Sequence, residues 1–296
     1  MFQLLGLLTV ITVIVGALIF SGSPAIMQAL PFELALIGGA AIGTLLVGNS
    51  PRVARDAAAG LGKAVTGAKW KQSDYADLLT GMNDLIRRAR RGGIVAIEAD
   101  IEAPESSPVF INRPRLLADL DARSLITDSF RLLALNPGGK SPLQTHLDDA
   151  MGSIADTRHR AVNALNSLAD ALPALGIVAA VLGIIKTMGV IDQSPEVLGP
   201  MIATALLGTF LGVFLAYGLV GPLAARFGQV IDEEMRYLET IRTLLTAYDD
   251  GLAPATAIEL ARSGLPAHLR PSIETLDASM GTVESLPQRR LRGRTA

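Results

Sequence analysis

Four apolar segments constrain the fold of this chain more than any other feature of its sequence. They occupy residues 4–20, 34–47, 168–190 and 199–225. A membrane helix needs about 20 predominantly apolar residues, so the second segment can span only if flanking polar positions are included. Half of the residues are apolar and the mean hydropathy is +0.40, which is high for a soluble domain because a soluble surface must be polar. We therefore predict an all-α integral membrane protein with four transmembrane helices.

The distribution of Lys and Arg predicts the orientation of these helices. The connection between the first two segments has neither residue, and the connection between the last two has only Lys186, at the helix end. Basic residues instead follow the second and fourth segments, among them Arg52, Arg55 and Arg226. Both short connections are therefore predicted to face outward, with the N- and C-termini in the cytoplasm. A signal peptide is the competing interpretation of residues 4–20, but no positive charge precedes them and the run is longer than the usual 7–15 residues or so.

The chain divides into five predicted regions. They are two membrane helices in residues 1–50, a cytoplasmic helical domain in 51–167, two membrane helices in 168–225, a cytoplasmic helical region in 226–287 and a disordered basic tail in 288–296. In the cytoplasmic domain, Tyr75, Leu78, Leu79, Met82, Leu85 and Ile86 recur at helical spacing, and Gly92 and Gly93 end that helix. An apolar stripe from Phe227 to Leu245 predicts that the last membrane helix continues into the cytoplasm.

Several classes of function are disfavoured by composition. The chain has no cysteine and a net charge of −2, so thiolate metal sites are excluded and no nucleic-acid partner is expected. Its three histidines are far apart, and we predict no metal site and no cofactor. Residues 134–141 fit a relaxed phosphate-binding loop, but that motif requires a preceding strand, and residues 129–133 are predicted to be helical. We expect no enzyme activity, and a membrane ATPase is the alternative from another class.

Charged residues and prolines mark positions where function is possible. Arg90 belongs to a cluster of four arginines at a helix end, and Glu98 begins an acidic stretch after it. From charge alone, a solvated surface is the simpler interpretation, and a patch for a charged partner is the alternative. Pro173 and Pro222 fall at a similar depth near the cytoplasmic surface, where two kinks would form a flexible collar.

The predicted spans contain small residues but no central acid. Small residues recur at four-residue steps, which favours close helix association: Gly39 and Gly43; Gly176 and Ala180; Thr204, Gly208, Gly212 and Ala216. Glu33 and Asp170 lie at the ends of predicted spans. Because an ion pathway normally needs an intramembrane carboxylate, the sequence predicts that a partner supplies this acid if the chain takes part in ion conduction.

Two membrane segments carry a family resemblance. Residues 170–183 (DALPALGIVAAVLG) and 208–224 (GTFLGVFLAYGLVGPLA) resemble the third and fourth spans of the MotA family of flagellar stator subunits. Residues 97–104 and 112–115 resemble cytoplasmic segments of the same family, and the similarity extends from the first span to about residue 272. The resemblance implies a ring-forming homo-oligomer, a pentamer, around a MotB-type peptidoglycan-binding subunit that carries the acid. It also implies torque on the rotor protein FliG.

The resemblance assigns roles to particular residues. Arg90 and Glu98 match the rotor contact. Pro173 and Pro222 match the family's functional prolines, and Asp170, Ala180 and Thr209 fall on the ion path. Sodium-driven relatives such as PomA have threonine where this chain has Ala180, and a methyl group cannot ligate a hard cation, so a proton is implied.

One alternative lies in the same superfamily. An ExbB- or TolQ-like subunit would energise an outer-membrane system, but such subunits have three spans and a differently placed cytoplasmic part. The fourth span and the region 51–167 argue against this alternative.

Overall fold

The computed structural model describes residues 2–20, 22–135 and 141–280, apart from the side chains of residues 277, 279 and 280. Every regular element in these ranges is helical, which confirms the all-α class. The helices are α1 (Phe2–Phe20), α2 (Pro24–Gly48), α3 (Pro51–Thr66), α4 (Gln72–Gly92), α5 (Glu98–Glu102), α6 (Pro108–Ile111), α7 (Pro114–Ala118), α8 (Leu120–Leu135), α9 (Leu143–Met188), α10 (Pro195–Phe214), α11 (Gly221–Asp249), α12 (Pro254–Ser263) and α13 (Ile273–Met280). Short 3₁₀ turns cover Ile94–Ile97 and Pro104–Ser106, and a π-helical segment covers Leu215–Val220.

Four helices among the described residues are long and apolar enough to cross a membrane. They are Phe2–Phe20, Pro24–Gly48, Leu143–Met188 and Pro195–Asp249, the last combining α10, the π-helical segment and α11. The prediction of four spans is confirmed, as is the continuation of the fourth beyond its apolar part. The predicted stripe along α11, from Phe227 to Leu245, is buried.

The second span extends beyond its apolar run into the flanking polar positions, as the short length of that run required. The apolar run begins at residue 34, but α2 begins at Pro24 and contains both Pro31 and Glu33. Pro24 lies in the first turn, where a missing N–H leaves no hydrogen bond unmade, and membrane helices tolerate an internal proline such as Pro31. With 25 residues, α2 spans without help from a loop.

The chain forms two compact units. The first comprises Met1–Ala68 and Ala155–Glu233, and the second comprises Lys69–Ile154 and Glu234–Ala296. We call them the membrane unit and the polar unit. Helix α9 continues without a break across the predicted domain boundary at residues 167/168. The five regions predicted from sequence stay a prediction, and the tail predicted at 288–296 lies outside the described residues.

Helices α9 and α10 of the membrane unit cross with their backbones in contact. A Cβ atom built on Gly176 would lie 2.9 Å from the Cα of Gly212, and one built on Gly212 would lie 2.7 Å from the carbonyl oxygen of Leu172. Only glycine allows this approach at these two positions. By contrast, a Cβ built on Gly39 or Gly43 of α2 would meet no described atom within 4 Å.

The core of the polar unit is built around α4. The six residues predicted to form its buried face are each at most 1% exposed, and Gly93 follows its last turn with a φ of 73°. The aromatic rings of Trp70 and Tyr237 stack at 3.8 Å, and Tyr75 meets Tyr237 edge-on at 5.2 Å. These contacts fix α4 against α11.

Asp74 secures the start of α4. Its carboxylate is buried and accepts two hydrogen bonds from Nη1 of Arg115, at 2.6 and 2.8 Å, and one from the backbone N–H of Lys71, at 2.7 Å. The last of these bonds satisfies an N–H group that the helix itself leaves unpaired. One buried carboxylate therefore ties the beginning of α4 to α7.

Candidate functional site

The polar unit contains an open cavity of about 830 Å³ that is lined by both Arg90 and Glu98. Its remaining lining is partly apolar and partly charged, including Ile94, Val95, Leu133 and Leu135, and Glu102, Arg131 and Asp249. Val95 is 79% exposed and Leu135 is 82% exposed. We call this cavity the groove. It combines exposed apolar side chains with charges, as surfaces that bind a protein partner often do.

Arg90 is engaged in contacts within the chain. Its Nη2 donates to the carbonyl oxygen of Tyr248 and, at 3.3 Å, to that of Leu252, and its Cζ is 4.6 Å from the centroid of the Tyr248 ring. Because α11 ends at Asp249, the guanidinium lies at a helix C-terminus, where a cation is favourable. Arg90 therefore attaches the end of α11 to α4.

Other charges near the groove are neutralised in pairs. Arg88 lies 2.8 Å from the buried carboxylate of Asp100, which also accepts a hydrogen bond of 2.5 Å from Ser107. Arg131 donates two hydrogen bonds to Glu102, at 2.7 and 3.0 Å, and they lower the pKa of that carboxyl. These pairs fit the simpler interpretation of a solvated charge run.

Glu98 and Asp249 differ from the paired charges. Both are exposed, both line the groove, and neither forms an ion pair with another described residue. The groove therefore contains two carboxylates outside any ion pair of the described residues, together with the positive charge of Arg90, which is bonded to backbone carbonyls. Of the two predicted rotor-contact residues, Glu98 is the one whose side chain is free for a partner.

The crossing of α9 and α10 contains two of the predicted ion-path positions. A Cβ built on Gly208 would lie 3.2 Å from the backbone nitrogen of Ala180, and Thr209 follows Gly208 directly. Ala180 and Thr209 are both half-buried. The structure thus brings these two positions to one level of the helix crossing.

Glu33 lies at the same level, which the sequence did not predict. Its side chain is buried, and Oε2 lies 3.2 Å from the position of a Cβ built on Gly208. This oxygen is fully buried and has no hydrogen-bond partner among the described residues. Lys186 interacts electrostatically with Glu33, and its Nζ is 5.2 Å from the centroid of the Phe32 ring. The expectation that Glu33 ends a span was wrong, because α10 shelters its carboxyl inside the bundle.

The burial of Glu33 predicts opposite outcomes for two substitutions. Glu33→Gln should leave the membrane unit folded, because glutamine has nearly the same shape and no charge. Glu33→Lys should destabilise the contact between α2 and α10 by about 3–5 kcal/mol, because it leaves a buried charge uncompensated. Thermal unfolding of both variants in detergent measures the difference. Equal stability of the two variants would contradict the buried position.

The remaining predicted residues lie at other levels of the membrane unit. Asp170 is exposed about 15 Å along α9 from Ala180, with half-buried Pro173 one turn closer. Pro222 is exposed about 20 Å along the fourth span from Thr209. The structure therefore separates the two prolines from the level of Glu33.

A π-helical segment precedes Pro222. Residues Leu215–Val220 adopt this conformation, and the N–H of Gly221 donates to the carbonyl of Ala216, five residues earlier. Such segments are rare and occur frequently at functional sites. The kink predicted from Pro222 thus coincides with a local change in helix type. Sequence offered only the proline as a signal.

The possible phosphate-binding loop at residues 134–141 falls mostly outside the described residues, since only 134, 135 and 141 are described. The segment before it is helix α8. A phosphate-binding loop of this kind follows a β-strand, so the structural context that the motif requires is not met.

Comparisons with known proteins decide the family. The family model "Motility protein A N-terminal" matches residues 4–93, and the model "MotA/TolQ/ExbB proton channel family" matches residues 123–240. Motility protein A of Salmonella typhimurium is 33% identical over 285 residues, which cover 96% of this chain and 97% of that protein. This chain belongs to the motility protein A family.

Further comparisons agree with the motility protein A family. Motility protein A of Escherichia coli is 32% identical, over 97% of this chain and 98% of that protein. A solved structure described as "Structure of C. jejuni MotAB" has a TM-score of 0.70 at 18% identity, over 91% of this chain and 98% of that chain, and supports the fold. The second family model is shared with TolQ and ExbB by its description, so the N-terminal model and the full-length relatives decide against the ExbB-like alternative.

Proposed function

We propose that this chain is the membrane subunit of a proton-driven flagellar stator that turns a rotor through FliG. The observation that carries the proposal is its similarity to motility protein A over nearly the whole of both chains. The related structures are of MotAB complexes, one of them described as a flagellar stator complex. By this relationship the chain assembles as a homo-oligomeric ring, a pentamer, with a MotB-type subunit in the bacterial inner membrane, and its termini face the cytoplasm.

The membrane unit provides the part of the ion path that this chain contributes. Ala180 and Thr209 lie at one level where α9 and α10 are in backbone contact, which supports their assignment to the path. Ala180 offers only a methyl group, so this position favours a proton over a sodium ion. The MotB-type subunit brings the acid that releases the proton, and Asp170 lies nearer the cytoplasmic end of the same helix.

Bending of α9 and of the fourth span couples ion passage to rotation. Pro173 lies inside α9, and Pro222 follows the π-helical segment. Both positions interrupt regular helical hydrogen bonding, which lowers the resistance of a helix to bending. We assign to these two prolines the conformational change that accompanies ion passage.

The groove is the rotor contact. Glu98 is exposed and unpaired among the described residues, whereas Arg90 holds the end of α11 beside it. Glu98 therefore meets a basic group of FliG, and Arg90 keeps the surface in place. No step of this function requires enzymatic catalysis.

Deletion of the gene in its own host tests the proposal. Cells are expected to keep normal filaments that do not rotate, and the intact gene should restore movement. Complementation with Glu98→Lys should fail, whereas Glu274→Lys, at an exposed glutamate in α13, should succeed. Rotation of tethered cells and filament counts are the measurements.

Three results would contradict parts of the proposal. Cells without filaments would make the protein an assembly factor. Cells that still swim after deletion of this gene and of every other stator gene would exclude a stator role. Stoichiometric binding of ATP by the purified protein would support the alternative function of a membrane ATPase.

A further inference from the structure

Helix α3 is a polar helix attached directly to the end of a membrane span. Helix α2 ends at Gly48, and only Asn49 and Ser50 separate it from Pro51, the first residue of α3. Both connecting residues have extended backbone conformations, so the chain changes direction between the two helices. Helix α3 therefore begins at the level where the apolar part of α2 ends.

The middle and the end of α3 lie at a similar level. A Cβ atom built on Gly60 would overlap the ring of Phe227, and one built on Gly67, directly after α3, would lie 3.8 Å from Nη2 of Arg226. Arg226 and Phe227 directly follow the fourth apolar segment, which ends at residue 225. Three points along α3 are thus close to the places where membrane spans leave their apolar parts. This arrangement places α3 along the membrane surface, within the membrane unit.

The face of α3 that is directed away from the protein is basic. The opposite face is buried and consists of small residues: Ala54, Ala57, Gly60 and Ala64. Arg52, Arg55 and Lys63 are exposed, and their spacing of three and eight residues places them on one helical face. The acid of this helix, Asp56, lies 3.6 Å from Arg55, and both side chains are about half-exposed or more, so the pair is weak. The exposed face therefore keeps a net positive charge.

Lipid surrounds the helix beside this face. Helix α3 contacts α1, an apolar helix that is long enough to cross a membrane and has no buried residue. The exposed apolar side chains of α1 require lipid chains around them. The headgroups of those lipids lie at the membrane surface, where α3 also lies.

We propose that α3 binds the headgroups of anionic phospholipids, with Arg52, Arg55 and Lys63 facing their phosphate groups. Clusters of basic residues beside a membrane span or on a helix at the surface attract anionic lipids in this way. Arg and Lys side chains are long enough to reach a headgroup from a helix that lies on the surface. The inference goes beyond the stator function and does not depend on it, because the ion path and the rotor contact involve other residues.

The chain contains no cysteine, so one introduced fluorophore can report lipid contact at a chosen position. The full chain carrying Ala59→Cys, on the exposed face of α3, is labelled, assembled with a cysteine-free MotB-type subunit and placed in phosphatidylcholine bilayers. Quenching by spin-labelled phosphatidylglycerol is compared with quenching by spin-labelled phosphatidylcholine. A basic side chain near the surface favours an anionic lipid about fivefold, so phosphatidylglycerol should associate at Ala59 at least about fivefold more strongly. A label at Ala17, exposed in α1, should show no such preference.

Substitutions on α3 should change this preference in opposite directions. The triple variant Arg52→Gln/Arg55→Gln/Lys63→Gln should remove it, Asp56→Asn should increase it, and Arg55→Lys should keep it, because the preference follows the charge of the face. Arg236→Gln, at an exposed arginine of the polar unit, is the matched control and should leave it unchanged. In the unsubstituted protein the preference should fall as the salt concentration rises from about 0.01 to 1 M, since the screening length shortens from about 30 to 3 Å.

Four results would overturn the inference. Two of them need no substitution of a charged residue: equal quenching by the two lipids at Ala59, and a preference that salt does not reduce. A preference that the triple variant retains would assign it to other residues. Quenching by neither lipid at Ala59, with normal quenching at Ala17, would show that a second copy of this chain or another protein covers the face. Rotation of tethered cells tests the stator function separately in each case.

Discussion

Gly212→Val is expected to abolish assembly of a functional membrane unit. A Cβ at this position would lie 2.7 Å from the carbonyl oxygen of Leu172 and 2.8 Å from the Cα of Gly176. Both are backbone atoms, which cannot rotate away as a side chain can, so α9 and α10 must separate. Overpacking costs about 1–3 kcal/mol where side chains can adjust, and a backbone clash adds to that cost. We expect little folded protein in membranes and no rotation.

Gly16→Val is the matched control. Gly16 lies in membrane helix α1, and a Cβ there would meet no described atom within 4 Å. Quantification of both variants in membranes, followed by thermal unfolding in detergent, checks the prediction. If Gly212→Val is as abundant and stable as Gly16→Val, the backbone contact between α9 and α10 is not required for folding.

Asp74→Ala is expected to give the largest loss of stability in the polar unit. The substitution removes two hydrogen bonds from Arg115 and the bond to the Lys71 N–H, at a side chain that is 5% exposed. A broken buried ion pair costs about 3–5 kcal/mol, but Arg115 is half-exposed and regains water, so we expect about 2–3 kcal/mol. A unit of this size should then unfold about 5–10 °C lower.

Asp84→Ala serves as the comparison on the same helix. Its carboxylate is 53% exposed and lies 3.5 Å from Arg113, so its loss should change stability by less than about 1 kcal/mol. Circular dichroism at increasing temperature measures both variants in detergent. Similar unfolding temperatures for the two would show that Asp74 does not anchor α4.

The sequence predicted the helices well where apolar spacing was regular. The buried face of α4 and the stripe along α11 follow from three- and four-residue periodicity, because burial of one helical face requires that spacing. The glycines at positions 92 and 93 marked the end of α4 because Gly93 has a positive φ. Such local signals need no knowledge of tertiary contacts.

The start of α2 could not be predicted in the same way. Pro31 and Glu33 suggest a boundary, since both are unfavourable inside an apolar helix when considered alone. The structure buries Glu33 against Gly208, a residue far away in sequence. Whether a carboxyl is inside or outside a bundle depends on its neighbours, and periodicity carries no information about them.

The groove was predictable only in part. Arg90 and Glu98 stood out by charge and by family resemblance, but Val95 and Leu135 occur on different elements with no shared pattern. Their common cavity arises because the turn after α4, the end of α8 and the end of α11 meet. Conversely, the engagement of Arg90 with Tyr248 could not be inferred from a cluster of like charges.

The π-helical segment at Leu215–Val220 also sets the direction in which the following residues of the membrane unit face, as far as the end of that unit within α11. Each additional residue accommodated by a helical turn rotates the downstream helix by about 100° about its axis. Removing one residue from this segment would restore a uniform helix and rotate Phe227 and Val230 out of the core. The number of residues in this segment is therefore fixed by the packing of the residues that follow it, unlike the number of residues in a surface loop.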